Sequence, residues 1–211
     1  MKILIAIITT RKYRESRLKY ILDTWYKDLE DVIIVTDEES NDLPMIKFGD
    51  DDSYETNVPK NFFALNIFGE KYNDFDWYMV LDDDTFLNYE NLKKYLETQD
   101  KESIFMLGHS NSGCFPQDPT LDYSSGGAGY VFNNNTMKLL SKIESRYSLS
   151  RFADVNVGFY CRDNNIKIID NILFNPSTPE ACNVSEDNIK DAISFHYVIG
   201  EKQLELYNKI K

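Results

Sequence analysis

An α/β fold, with a central, mostly parallel sheet flanked by helices, is predicted by three observations. The chain opens strand, helix, strand; the two element types go on alternating; and the strand-like runs are short, apolar and rich in β-branched and aromatic residues. Its 211 residues can bury a substantial core, so residues 1–211 are read as a single domain, whether whole or the first module of a longer polypeptide.

Ile3 to Ile8 is apolar throughout and reads as the first core strand. Arg14 to Lys27 places Leu18, Ile21, Leu22 and Trp25 three and four apart, which predicts an amphipathic helix, and Asp31 to Asp37 is the second strand. Glu38 to Asn57 is polar, with Pro44, Gly49 and the acidic run Asp50-Asp51-Asp52; it reads as a solvated loop with a minor strand near Met45 to Phe48. Pro59 suits the first turn of a helix whose apolar face is Phe62, Phe63, Leu65, Ile67 and Phe68. That helix feeds a buried strand, Trp77 to Leu81. There follow a helix over Asn88 to Gln99, a short strand over Ser103 to Gly108, a loop over Ser110 to Tyr123, and the glycine-rich segment Ser124 to Phe132. Helices over Thr136 to Glu144 and Ser150 to Asn164 come next, then short strands over Ile166 to Asp170 and Ile172 to Phe174. An irregular stretch, the apolar run around His196 and a helix over Glu201 to Ile210 complete the chain.

The net charge of -12 opposes a polyanionic partner, so nucleic acid and anionic membrane surfaces are excluded as principal partners. A small anion stays compatible if a divalent cation reverses the local field. The apolar start is too short to span a bilayer and precedes no small-residue cleavage site, and the three cysteines are odd in number and far apart. A cytoplasmic protein without disulfides or membrane segment is therefore expected.

The strand from Trp77 ends abruptly in Asp82-Asp83-Asp84. In open α/β sheets the carboxyl edge is where ligands bind, and alternation directs Asp82 and Asp84 to one side with Asp83 opposed. Two carboxylates on one face suit Mg²⁺ or Mn²⁺, although an acidic run alone is more often a solvated turn after a core strand. Gly126 and Gly127 mark either an ordinary turn or a place where a ligand approaches backbone.

Five segments in the same order resemble the Fringe-like and core 1 β1,3-galactosyltransferase group, glycosyltransferases of the GT-A (Rossmann-like) fold. They are Thr9-Thr10-Arg11-Lys12 with Arg17-Leu18 and Thr24-Trp25; Asp76-Trp77 through Thr85 with Asn91-Leu92; Ser125 to Val131; Asp154 to Gly158; and Ser194-Phe195-His196-Tyr197. Length and start are also similar to those of a virus-encoded domain that glycosylates capsid protein. The resemblance implies transfer, with inversion, from a UDP-sugar to a hydroxyl of a glycan or glycoprotein, with Mn²⁺ (or Mg²⁺) as cofactor. It places Asp84 and His196 on the metal, with Asp82 and Asp83 reaching it through water or holding sugar hydroxyls, and makes Asp154 the general base. Thr9, Thr10, Arg11 and Asp37 would hold uracil and ribose, Lys60 would face the diphosphate, and Gly126, Gly127 and Ala128 would let the donor sugar lie against backbone.

Each residue also has a plainer role: a packed histidine at His196, a helix cap at Asp154, a water-facing loop residue elsewhere. The chain departs from the family pattern at Ala153, where many relatives have a carboxylate, and at Asn175, near which Fringe-type relatives carry a histidine. These departures leave a non-catalytic nucleotide-sugar-binding module as the alternative. A haloacid dehalogenase-type phosphatase fits less well, since its motif requires Thr or Val where Phe86 stands and lies on the first strand.

Overall fold

A computed structural model describes residues 1–211. The elements in chain order are β1 (Ile3–Ile8), α1 (Lys19–Asp23), β2 (Asp31–Thr36), β3 (Met45–Lys47), α2 (Asn57–Lys71), β4 (Trp77–Asp82), β5 (Phe86–Leu87), α3 (Tyr89–Leu96) and β6 (Phe105–Gly108). They continue with β7 (Tyr130–Asn133), α4 (Asn134–Leu140), α5 (Ala153–Asp163), β8 (Lys167–Asp170), β9 (Phe174–Asn175), α6 (Glu186–Ile189), β10 (Ser194–Phe195) and α7 (Glu201–Ile210).

Seven strands form one sheet in the order β3-β2-β1-β4-β7-β6-β8, parallel except for β7, which runs antiparallel to both β4 and β6. The two faces of β1 and β4 feed two separate cores. Ile3, Ile5, Ile7, Trp77, Met79 and Leu81 pack on one side, and Leu4, Ala6, Ile8, Tyr78 and Val80 on the other. Period-two alternation inside an unbroken apolar run is the signature of a strand covered on both faces.

Register aligns the strand ends. Ile8 lies opposite both Val35 and Asp82, so Thr9 and the aspartates leave the sheet at the same level. A second, three-stranded sheet, β5-β10-β9, sits at this edge, with Phe195 opposite Phe86 and opposite Asn175. It carries the late histidine to the end of β4: the Val198 amide donates to the Asp84 carbonyl at 2.9 Å and the His196 amide to the Asn175 carbonyl at 3.1 Å. Gln203, almost fully buried, locks the arrangement by donating to the Thr85 and Val198 carbonyls while accepting from Trp25 Nε1.

The expected helix over Arg14 to Lys27 is not one helix. A 3₁₀ turn (Arg11–Tyr13), a π turn (Arg14–Leu18), the short α1 and a second 3₁₀ turn (Trp25–Asp28) replace it. Thr24 Oγ1 donates to the Tyr20 and Ile21 carbonyls, competing with the backbone ladder where α1 stops. The wider π turn moves Arg17 off the helical register. Smaller shifts occur elsewhere. Helix α2 starts two residues before Pro59, and the strand expected over Ile172 to Phe174 is β9, Phe174–Asn175, with Ile172 exposed instead. Helix α5 starts only at Ala153, because the Leu149 and Ser150 amides bond the buried Asn156 side chain. No helix is long and apolar enough to cross a membrane, and the three cysteines are free thiols.

Candidate active site

At the carboxyl edge of β1 and β4 lies a cavity of about 530 Å³, within the usual range for small-molecule sites. Asp82, Asp83, Asp84, Gly126, Gly127, Asp154 and His196 all line it, as do Thr9, Thr10 and Lys60. Arg11, Asp37 and Ala128 do not. Asp37 is buried beneath the rim, accepting from the Arg11 amide at 3.0 Å and from Lys60 Nζ at 3.3 Å; burial opposes its charge, but the Thr10 hydroxyl first, then the Arg11 amide and the Lys60 ammonium, hold its carboxyl below the usual range. The ammonium of Lys60 also donates to the Thr9 carbonyl at 3.1 Å, so it braces the end of β1. The Arg11 guanidinium turns toward Asp37 and Asp52, and Ala128 is fully buried.

The three aspartates divide as alternation expects. Asp83 turns toward β1 and accepts from Thr9 Oγ1 at 2.7 Å and from Arg17 Nη1 at 2.8 Å. Asp82, Asp84 and His196 come together, each offering a ligand atom within 4.8 Å of the others. Asp84 is nine-tenths buried; its Oδ2 accepts from Arg17 Nη1 at 3.0 Å, and its Oδ1, 3.3 Å from His196 Nε2, makes no hydrogen bond. A buried carboxylate oxygen without a donor, facing an imidazole nitrogen and a second carboxylate, is an arrangement that could hold a divalent cation.

Burial, then repulsion from Asp84 and Asp83, pushes the Asp82 carboxyl up to about 7. Burial likewise raises Asp83 to about 6, against the bonds from Thr9 and Arg17 that pull it down. Burial on its own lowers the basicity of His196, but contact with Asp84 and the field of Asp82 outweigh it and raise the imidazole above its ordinary value.

Asp154 is the second residue of α5, one position past the start, so it is not the capping residue; that place falls to Phe152. Its Oδ2 accepts from the Gly126 amide at 3.1 Å and its Oδ1 from the Val155 amide at 2.9 Å. Burial raises its carboxyl above the ordinary range despite these bonds.

The glycines answer to the side chains opposite them. A Cβ on Gly127 would lie 2.0 to 2.3 Å from three atoms of the His196 ring, and one on Gly126 would come 3.3 Å from Asp154 Cβ. Thr85 Oγ1 donates to the Gly127 carbonyl at 2.8 Å, tying the glycine turn to the aspartate turn. Asn175 donates to the Leu173 and Ser194 carbonyls and so serves the small sheet, away from the cavity lining.

Among the lining residues to which the sequence assigns no role, two stand against the charged groups of the site. Arg17 enters the sequence analysis only within a motif, since a straight helix gives it no reason to face Asp83 and Asp84. Tyr197 adopts φ +58°, costly for an aromatic residue, and its ring stacks on the His196 imidazole with centroids 3.6 Å apart. In the sequence Tyr197, like Arg17, is only a member of a motif, next to the late histidine.

The mouse "Beta-1,3-glucosyltransferase" is 23% identical over 84% of this chain, and the chain spans 37% of its length. The Xenopus laevis "Beta-1,3-N-acetylglucosaminyltransferase lunatic fringe" is 23% identical over 95% of this chain and 60% of its own. Two crystal structures share the fold at 14% identity. A glycosyltransferase involved in glycosylation of the major capsid of PBCV-1 superposes with a TM-score of 0.60 over 98% of this chain and 99% of its own. A galactosyltransferase in complex with donor and acceptor sugar analogs superposes with a TM-score of 0.61 over 97% and 95%. The architecture is that of GT-A glycosyltransferases. The Fringe-like family model matches residues 1–206, nearly the whole sequence, and this chain belongs to the Fringe-like family.

Proposed function

We propose that this chain is a metal-dependent glycosyltransferase that moves a sugar from a UDP-sugar to a hydroxyl of a glycan or glycoprotein with inversion. The observation that carries this reading is the meeting of Asp82, Asp84 and His196 at the end of β4, in the same cavity as the raised carboxyl of Asp154. When Mn²⁺ or Mg²⁺ is bound by Asp84 and His196, with Asp82 completing the set, it supplies Lewis-acid stabilisation to the departing diphosphate. Asp154 takes the proton of the acceptor hydroxyl as its oxygen bonds the anomeric carbon, and the bond to the diphosphate oxygen breaks with its electron pair leaving on UDP. A carboxylate of raised basicity suits that task near neutral pH. Arg17 offsets the repulsion between Asp83 and Asp84, and Tyr197 holds the imidazole plane. Incubation with a panel of UDP-sugars and MnCl₂ tests the reading: metal-dependent release of UDP, abolished by a chelator, supports it, and no turnover of any donor counts against it.

Two further outcomes are expected. Gly127→Ala forces the His196 ring aside, and Mn²⁺ affinity measured by calorimetry should fall by about 10- to 100-fold, as for loss of a ligand-orienting group. Unchanged affinity would remove His196 from the metal.

The second concerns pH. Asp82 and Asp83 have folded-state values raised above the unfolded ones, so the metal-free fold binds these protons more tightly than the unfolded chain. Their contribution to stability is fully present below about pH 4, the unfolded carboxyl range, and is lost progressively until pH passes about 6 to 7. A divalent cation replaces those protons. Mn²⁺ should therefore raise the melting temperature more at about pH 8 than at about pH 5, and a larger rise at the lower pH would contradict the assignment.

A further inference from the structure

A second cavity, of about 820 Å³, adjoins the first and shares Asn111, Phe152 and Asp154 with it. Asp154 therefore stands between the two. Four aromatic side chains, Phe115, Tyr123, Phe152 and Phe159, contribute to its lining, and Phe152 is 46% exposed. One lining residue carries an uncommitted positive charge. Arg11, Arg14, Arg17, Arg146 and Arg162 each meet a carboxylate within 4.0 Å, whereas Arg151 meets none. Its guanidinium instead sits 5.2 Å from the Tyr54 ring centroid and 5.6 Å from that of Phe152. Aromatic faces hold a guanidinium in place without neutralising it.

The position is built into the fold. Fully buried Asn156 accepts from the Leu149 and Ser150 amides at 2.9 and 2.8 Å and donates to the Ser150 carbonyl at 2.8 Å. The Phe152 amide then donates to Ser150 Oγ, so the backbone on both sides of Arg151 is fixed. The cavity's other acidic residue besides Asp154, Asp118, is already paired with Arg162 at 2.6 Å. In a chain of net charge -12, Arg151, exposed and free of any acid, leaves its positive charge open to an anionic ligand.

We propose that the second cavity takes an acceptor glycan bearing a carboxylate, a uronic acid residue, and that Arg151 determines this specificity. The inference rests on the first cavity being the donor site and Asp154 the base. The planar guanidinium pairs a carboxylate through two parallel N–H bonds, and the apolar C–H face of a pyranose stacks on the exposed Phe152 ring. The aromatic wall favours a sugar acid over an acidic peptide.

The test is direct titration of the full chain with methyl glucuronide and with methyl glucoside, wild type against Arg151→Gln and Arg151→Lys, followed by NMR. The glucuronide is expected to bind about five- to tenfold more tightly. Arg151→Gln erases that preference while leaving the glucoside and the melting temperature unchanged, and Arg151→Lys restores part of it. Equal affinity of the two probes, a preference that survives Arg151→Gln, or tighter binding of an acidic tripeptide would overturn the proposal. UDP titrated into the same samples reports the donor site separately. If UDP fails to bind while the Arg151-dependent preference holds, the donor reading falls and the acid subsite stands.

Discussion

Asp154→Asn should lower the rate of sugar transfer by about 10²- to 10⁴-fold while leaving UDP affinity within about twofold of wild type. The amide keeps the volume and one hydrogen-bond acceptor, so the Gly126 or Val155 amide retains a partner, but it cannot accept the acceptor's proton. The residues proposed to hold the metal, Asp82, Asp84 and His196, are untouched. Steady-state kinetics with the wild-type donor and acceptor, alongside UDP calorimetry, read the two effects separately. Transfer persisting undiminished would remove Asp154 as the base. Loss of UDP binding would show that its role is to hold the Gly126 turn.

The largest effect on stability is expected at Arg17. Its single Nη1 donates to both Asp83 and Asp84, which are 4% and 7% exposed, and no other lysine or arginine touches either carboxylate. Arg17→Gln leaves two adjacent buried acids with only Thr9 and His196 beside them. Breaking a buried pair costs about 3–5 kcal/mol, and the partial exposure of Arg17 puts the expected loss near the lower end, about 3 kcal/mol. For a chain of this size that is roughly a 10 °C fall in melting temperature. Saturating Mn²⁺ should recover much of it, because the cation answers the same repulsion. A fall that Mn²⁺ leaves untouched would show that Arg17 acts through packing alone, and no fall at all would show that the carboxylates are solvated.

Much of this architecture is legible in the residues themselves. The unbroken apolar runs at Ile3 to Ile8 and Trp77 to Leu81 can only be satisfied by strands covered on both faces, and register then brings Thr9 to Asp83. Alternation correctly separated Asp83 from Asp82 and Asp84. His196 was reachable only through its family motif, because nothing local says that β10 will pair with β5 and deliver it to Asp84. The helix from Arg14 failed for a specific reason: apolar spacing reports which residues are buried, not whether Thr24 will compete for the ladder or a π turn will swing Arg17 inward.

The glycines show another limit of a one-dimensional reading. Gly127 reads equally as an ordinary turn or as a place where a ligand approaches backbone, and the group that packs against it is the imidazole of His196, from far later in the chain. Arg11, Asp37 and Ala128 lie at the predicted strand ends and turn yet off the cavity lining, because strand position fixes level along the sheet and leaves side-chain commitments open. Arg151 offered no pattern at all. Its isolation from every carboxylate is a property of three-dimensional pairing.

Metal-dependent recognition of UDP at the end of β4 is most directly tested by calorimetric titration of UDP into metal-free protein, with and without Mn²⁺, for wild type and Asp84→Ala. Binding that requires Mn²⁺ in the wild type and disappears in Asp84→Ala is the expected result. UDP binding equally well without metal, or failing to bind under either condition, would contradict it.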